Sequence, residues 1–158
     1  MSIYIIAAIG KNNELGKDND LIWHFKEDMK FFREMTTGNT VLMGRKTFES
    51  LPHALPNRRN IVISTNPNYS AEGAEVVHGI DEALEICKDD TVFVIGGGKI
   101  YDAFIDIADN LYLTEIDSVC DDADVYFPSF DKSLYEREKL TDYFVDGIHF
   151  SHIKYSRI

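Results

Sequence analysis

A set of short apolar runs, separated by helical or glycine-rich stretches, constrains this chain most. Residues 3–9 are apolar and β-branched, which suits a central strand buried on both faces. Residues 40–43, 60–64, 74–77, 91–95 and 110–116 repeat the theme. Between them, helical spacing covers 25–35, a short piece from Thr47 to about Leu51, residues 81–88 with Asp81 as N-cap, and 99–107. Alternating strands and helices call for a parallel sheet with right-handed crossovers. Two further runs, about 134–140 and 148–157, flank Asp146-Gly147 and read as an antiparallel hairpin. The expectation is one α/β domain over 1–158. Its sheet is mostly parallel and eight-stranded with an antiparallel C-terminal edge, flanked by about four helices. Residues 10–23 are polar and read as a long loop, and 117–131 as acidic and irregular. In open α/β sheets ligands bind at the carboxyl ends of the strands, which selects the loops after Ile9, Met43, Ser64, Ile95 and Ile116.

Composition narrows the partners. Sixteen basic and 27 acidic residues give a formal charge of −11, with no electrostatic footprint for nucleic acid or an anionic membrane. The hydrophobic fraction of 44% supports a packed core. No apolar run approaches the ~20 residues of a membrane span. Met1-Ser2-Ile3-Tyr4 lacks the basic start of a signal peptide. Cys87 and Cys120 form no CxxC pair and read as free thiols in a reducing compartment. A cytoplasmic monomer acting on a small molecule is expected.

Three constellations carry candidate chemistry. Gly96-Gly97-Gly98 follows a buried strand and opens a helix, where backbone amides at a positive helix end suit a diphosphate. A tight turn is the alternative, but three consecutive glycines exceed what a turn needs. The G-x-G-x-x-G and P-loop patterns both fail here, the first because Tyr101 stands at its third glycine. Gly44-Arg45-Lys46-Thr47 also joins a strand to a helix, and its two cations and hydroxyl suit a phosphate monoester. The alternative is a solvated basic pair. Together the two sites suggest a phosphorylated dinucleotide, its 2′-phosphate at Arg45-Lys46, its pyrophosphate near Gly97-Gly98, and hydroxyl contacts from Ser64 and Thr65. The third is Asp28, which shares a helix face with Phe32 and is flanked by Phe25 and Met29. A carboxylate among apolar groups can grip a heterocycle with paired N–H donors. It can also be a charge favoured by the helix dipole, as Glu27 is. His24, His53, His78, His149 and His152 are scattered, no metal site is expected, and no G-x-S-x-G motif supports hydrolase chemistry. Asp121, Asp122 and Asp124 lack the glycine and terminal Glu of an EF-hand.

Seven segments then occur in a familiar order: IIAAIG (5–10), LGKDNDLIWHFKEDMKFF (15–32), VLMGRKTFESL (41–51), LPNRRNIVIS (55–64), VFVIGGGKIYDAF (93–104), LYLTEI (111–116) and DVYFP (124–128). In that order and spacing, over nearly the whole chain, the sequence resembles the dihydrofolate reductase family in its short bacterial form.

The resemblance implies NADPH-dependent reduction of 7,8-dihydrofolate to tetrahydrofolate in support of one-carbon metabolism. Hydride passes to pterin C6 and N5 is protonated. It places Asp28, Trp23, Leu21 and Thr114 at the catalytic centre. Asp28 and Thr114 would hold the pterin, Asp28 orienting and polarising it while water delivers the N5 proton. Ile6, Ala8, Met29, Phe32, Leu51, Leu55, Ile95 and Tyr101 would line the substrate site, with Arg58 on the glutamate carboxylate. For NADPH it implies Ala8, Leu15, Gly16, Asn19, Leu21, Gly44, Arg45, Lys46, Thr47, Ser64 and Thr65. The same set continues with Gly96, Gly97, Gly98, Lys99, Ile100 and Tyr101, and the Gly96–Gly97 peptide is expected to be cis. Residues 10–24 would form a lid over the nicotinamide, and diaminopyrimidine or methotrexate-type antifolates would compete for the site. Ile22 stands where the family usually has a proline before the lid tryptophan. Lys26 replaces another frequent proline, Leu21 a frequent methionine, and the 117–128 loop has one extra residue. Two other readings differ in substrate or class: a same-fold reductase of a riboflavin-pathway pyrimidine, and a catalytically inert folate- or nucleotide-binding module.

Overall fold

The computed structural model describes residues 1–158. The first apolar run is strand β1 (Ser2–Ile9), which lies between two parallel neighbours, β7 (Thr91–Gly96) and β8 (Asn110–Ile116). Strands β4 (Thr40–Gly44), β5 (Arg59–Ile63) and β6 (Glu75–Val77) extend the parallel sheet beyond β7. On the other side β11 (Ile148–Arg157) pairs antiparallel with β8, and β10 (Tyr135–Val145) closes the edge. The order is β10-β11-β8-β1-β7-β4-β5-β6.

Alternation along β1 divides its side chains between two cores. Ile3, Ile5 and Ile9 enter one with Leu111, Leu113, Ile153 and Tyr155, and helices α3 (Ile80–Ile86) and α4 (Gly98–Phe104) contribute Ala83, Tyr101 and Phe104. Ile6 faces the other, under α1 (Lys26–Thr36) and α2 (Arg45–Glu49), with Met43, Val62 and Phe93. The burial of apolar area on both faces holds a mostly parallel sheet together. No helix is long and apolar enough to cross a membrane.

Several boundaries differ from those the sequence suggests. Residues 10–23 are not a bare loop: β2 (Glu14–Lys17) and β3 (Asp20–Leu21) form a small hairpin, which β9 (Val125–Tyr126) joins as a third strand. Asp18 and Asn19 supply its turn with φ of 52° and 63°, a left-handed region that Asp and Asn tolerate best among residues with a side chain. β9 also shows that 117–131 is not wholly irregular. Helix α3 starts before Asp81, which lies inside its first turn, and Gly79 takes the N-cap. The Glu82 carboxylate reaches back to accept from the His78 N–H at 2.9 Å, which fixes that earlier start. Helix α4 stops at Phe104, and residues 105–107 form a turn whose Ile107 and Ala108 N–H groups both donate to the Phe104 carbonyl, at 3.1 and 3.0 Å.

Candidate active site

Asp28 sits in the first turn of α1, at the helix end that favours negative charge. That helix lies over the sheet where Ala8, Thr114 and His152 stand side by side on β1, β8 and β11. Thr114 Oγ1 donates to Asp28 Oδ1 at 2.5 Å, and His152 Nε2 approaches the same oxygen at 3.2 Å. Both readings of Asp28 therefore coexist, since the dipole favours the carboxylate and a buried polar pair fixes it. Tyr101, from α4, donates its hydroxyl to the Ile6 carbonyl at 2.8 Å. Burial pushes the Tyr101 phenol well above its usual range, and the Asp28 charge adds to the effect.

An apolar wall runs away from Asp28. Phe32, Leu51, Leu55 and Ile95 all pack against the cluster that contains Ile6. Ala8 and Trp23 pack against Phe25, Ile116 and Phe150. Met29 departs from the expected enclosure of Asp28: at 58% exposure it stands at the outer edge, and the polar Thr114 and His152 close the carboxylate in instead. Leu21 is half exposed on β3. Arg58 lies beyond the wall, its Nε donating to the Pro56 carbonyl at 2.9 Å and Nη1 to Thr36 Oγ1 at 3.0 Å. Burial, aided by the Arg33 charge, lowers its pKa.

The anion-binding candidates gather at neighbouring strand ends. Gly44 ends β4 and caps α2, so Arg45, Lys46 and Thr47 form the first turn of that helix. Arg45 meets Glu49 at 2.8 Å, an exposed pair that contributes little. The Gly96–Gly97 peptide is cis and leads into α4, where Gly98, Lys99 and Ile100 make the first turn. Neither backbone nor crowding demands glycine at 97: its φ is −83°, and an added Cβ would meet only Thr47 Oγ1, at 3.5 Å. That Cβ would stand between the two segments, against the Thr47 hydroxyl. Ser64 is buried, its hydroxyl accepting from the Asn66 N–H at 3.2 Å, whereas Thr65 is exposed.

The segment beside this cleft is strapped down. Leu15 and Gly16 are buried in β2, and Asn19 is exposed at the hairpin tip. The Asp124 N–H donates to the Gly16 carbonyl at 3.0 Å, the Asp18 N–H donates to Asp124 Oδ2 at 3.0 Å, and Lys17 pairs with Asp122. Glu14 is 1% exposed and accepts backbone N–H groups from Asn12 and Cys120, each at 2.7 Å. Burial works against its charge, but these bonds prevail and hold its pKa below the usual value.

The family model described as dihydrofolate reductase matches residues 2–157. The chain belongs to the dihydrofolate reductase family. It is 45% identical over 131 residues to dihydrofolate reductase type 3 of Salmonella typhimurium, covering 82% of this chain and 80% of that one. To the dihydrofolate reductase of Bacillus subtilis it is 42% identical over 132 residues, 83% and 78% of the two chains. The structure of dihydrofolate reductase from Enterococcus faecalis, complexed with NADP(H) and RAB-propyl, superposes with a TM-score of 0.90 at 35% identity, over 99% of this chain and 96% of that one.

Within this reductase, the sequence pattern leaves two buried groups unassigned. His152 has a periodicity signal, since alternation through β11 puts it on the face of Phe150, but its place beside Asp28 needs the register His152↔Thr114. Glu14 has none, because a glutamate in a polar stretch looks solvated until the strand pairing encloses it. Arg45, Lys46 and Thr47 in the first turn of α2 and Lys99 in the first turn of α4 bring donors to two adjoining strand ends, with Thr47 Oγ1 next to Gly97.

Proposed function

We propose that this chain reduces 7,8-dihydrofolate to 5,6,7,8-tetrahydrofolate with NADPH, using Asp28 and Thr114 to grip the pterin. The carrying observation is the Asp28–Thr114 hydrogen bond at the carboxyl end of β8, in a chain of this family. A carboxylate offers two acceptor oxygens in one plane, which matches the paired N–H donors of a pterin edge. Ile6, Ala8, Phe32 and Ile95 would hold the ring, Leu51 and Leu55 the linking aryl group, and Arg58 the glutamate carboxylate through its fork. Arg45, Lys46 and Thr47 would take the 2′-phosphate, and the Gly97–Ile100 amides the pyrophosphate.

Bound NADPH supplies the hydride, from nicotinamide C4 to pterin C6. The protein's part is to align the rings and exclude bulk water. Trp23 and the β2–β3 hairpin form the lid, steadied by β9. Asp28 orients and polarises the pterin, while N5 takes its proton from water. The protein is read as a monomer, because its exposed large apolar side chains, such as Leu21 on β3, Phe144 on β10 and Ile107 and Val119 in loops, come from different segments, and as cytoplasmic from its free thiols Cys87 and Cys120. Flat diaminopyrimidine antifolates would compete at Asp28 with their own paired donors.

Incubation with dihydrofolate and NADPH deuterated at C4 tests this reading. The expected product is tetrahydrofolate with one deuterium at C6. A folded protein that binds NADPH and leaves dihydrofolate unchanged would instead be a binding module.

A further inference from the structure

His152 is 1% exposed and has no part in the scheme above, although it touches its central carboxylate. Its imidazole stacks on Phe31 of α1, with centroids 4.0 Å apart and planes 14° from parallel, and meets the Tyr143 edge at 5.3 Å. Phe31 thus covers one face of the imidazole and Tyr143 abuts it. Nε2 lies 3.2 Å from Asp28 Oδ1, and Nδ1 lies 2.9 Å from Thr141 Oγ1. A carboxylate only accepts, so Nε2 carries the proton and donates, and in the neutral ring Nδ1 accepts the Thr141 hydroxyl. Asp28 Oδ1 then has two donors from the sheet floor, Thr114 and His152. Oδ2 receives no donor from the protein.

We infer that His152 is a positioning residue for dihydrofolate: it fixes the plane in which the Asp28 carboxylate meets the paired N–H donors of the pterin, and leaves Oδ2 wholly free for one of them. This rests on the assignment of Asp28 to the pterin. Thr114 alone would leave the carboxylate free to rotate about a single bond, whereas two donors on one oxygen, from two paired strands, define its plane. The chain Asp28–His152–Thr141 is built across β11 and β10, so the hairpin that forms the sheet edge also sets the geometry of the site.

Two variants separate this role from packing. His152→Phe keeps a ring of similar size on Phe31 and removes the donor. His152→Gln gives up the ring and keeps an N–H at similar reach. The expected result for His152→Phe is a dihydrofolate KM raised roughly 10-fold, with kcat little changed and NADPH KM unaltered, and His152→Gln recovers most of the loss. A wild-type KM in His152→Phe overturns the inference. So does equal damage in both variants with both KM values rising, because that is the signature of packing. Nitrogen-15 spectra of the His152 ring give a readout independent of turnover: Nε2 is expected to bear the proton, and its signal to shift in Asp28→Asn. An unprotonated Nε2 in a wild type that reduces dihydrofolate overturns this inference alone. Failure to reduce dihydrofolate, with that proton in place, overturns the reaction and preserves the positioning bond.

Discussion

For the carboxylate contact proposed above, Arg58 is already held in place. Its guanidinium is planar, and Pro56 and Thr36 already hold two of its donors at 2.9 and 3.0 Å. Little freedom remains to be lost when a carboxylate arrives. Arg58→Leu is expected to raise the dihydrofolate KM roughly 10–100-fold, the loss of a charge-assisted hydrogen-bonded pair. The KM of a pterin substrate without the glutamate tail should stay unchanged, and comparing the two substrates checks the assignment. Asp28 is legible in the sequence because a charge within apolar helical spacing stands out, whereas Arg58 is reached only through the family resemblance. His152 is not legible, because a histidine in a C-terminal strand looks the same whether its face is wet or covered by α1.

At the scale of the element, the strong strands are legible and the weak ones are not. Runs such as 91–95 bury both faces, so their composition alone identifies them. β2, β3 and β9 have four, two and two residues. They are held by one another and by the Glu14 and Asp124 bonds rather than by an apolar pattern of their own. The C-terminal hairpin has the clearest local signal. Asp146 and Gly147 adopt φ of 52° and 79°, the mirror-image turn that matches strand twist. A Cβ at Gly147 would meet nothing within 4 Å, so only the backbone demands glycine there. Gly147→Ala is expected to lower unfolding free energy by about 1 kcal/mol. Denaturant titration would measure that loss, and kcat should be unaffected.

Across the whole molecule, paired charges set how stability varies with pH. His149 joins three strands' worth of structure: Nδ1 meets Asp117 Oδ2 at 2.7 Å just past β8, and Nε2 meets Asp142 on β10. Asp117, then Asp142, raise its pKa above 6.5. A group raised on folding stabilises fully below its unfolded value, and the effect is lost as pH rises through the folded value. The melting temperature of wild type should therefore exceed that of His149→Gln by more at pH 6 than at pH 9, and a gap independent of pH would refute the linkage. Glu75, held by Arg59, and Asp90, held by Thr40 and Arg59, are shifted down. Their contribution is present above about pH 4 and fades as pH falls through the lowered values. The mostly parallel sheet, its antiparallel edge and the choice of strand ends follow from alternation and the switch-point rule; the strand order does not. The charge map does not, since it depends on which carboxylates the fold brings to Arg59 and His149.

The reductase activity and the role of Asp28 are tested together by the dihydrofolate-dependent loss of NADPH absorbance, with wild type beside Asp28→Asn. Rapid loss is expected in wild type. In the variant kcat/KM should fall by about 100-fold or more, with NADPH affinity unchanged. Equal rates in the two proteins would remove Asp28 from its role, and no oxidation by a folded wild type that binds NADPH would contradict the reductase reading itself.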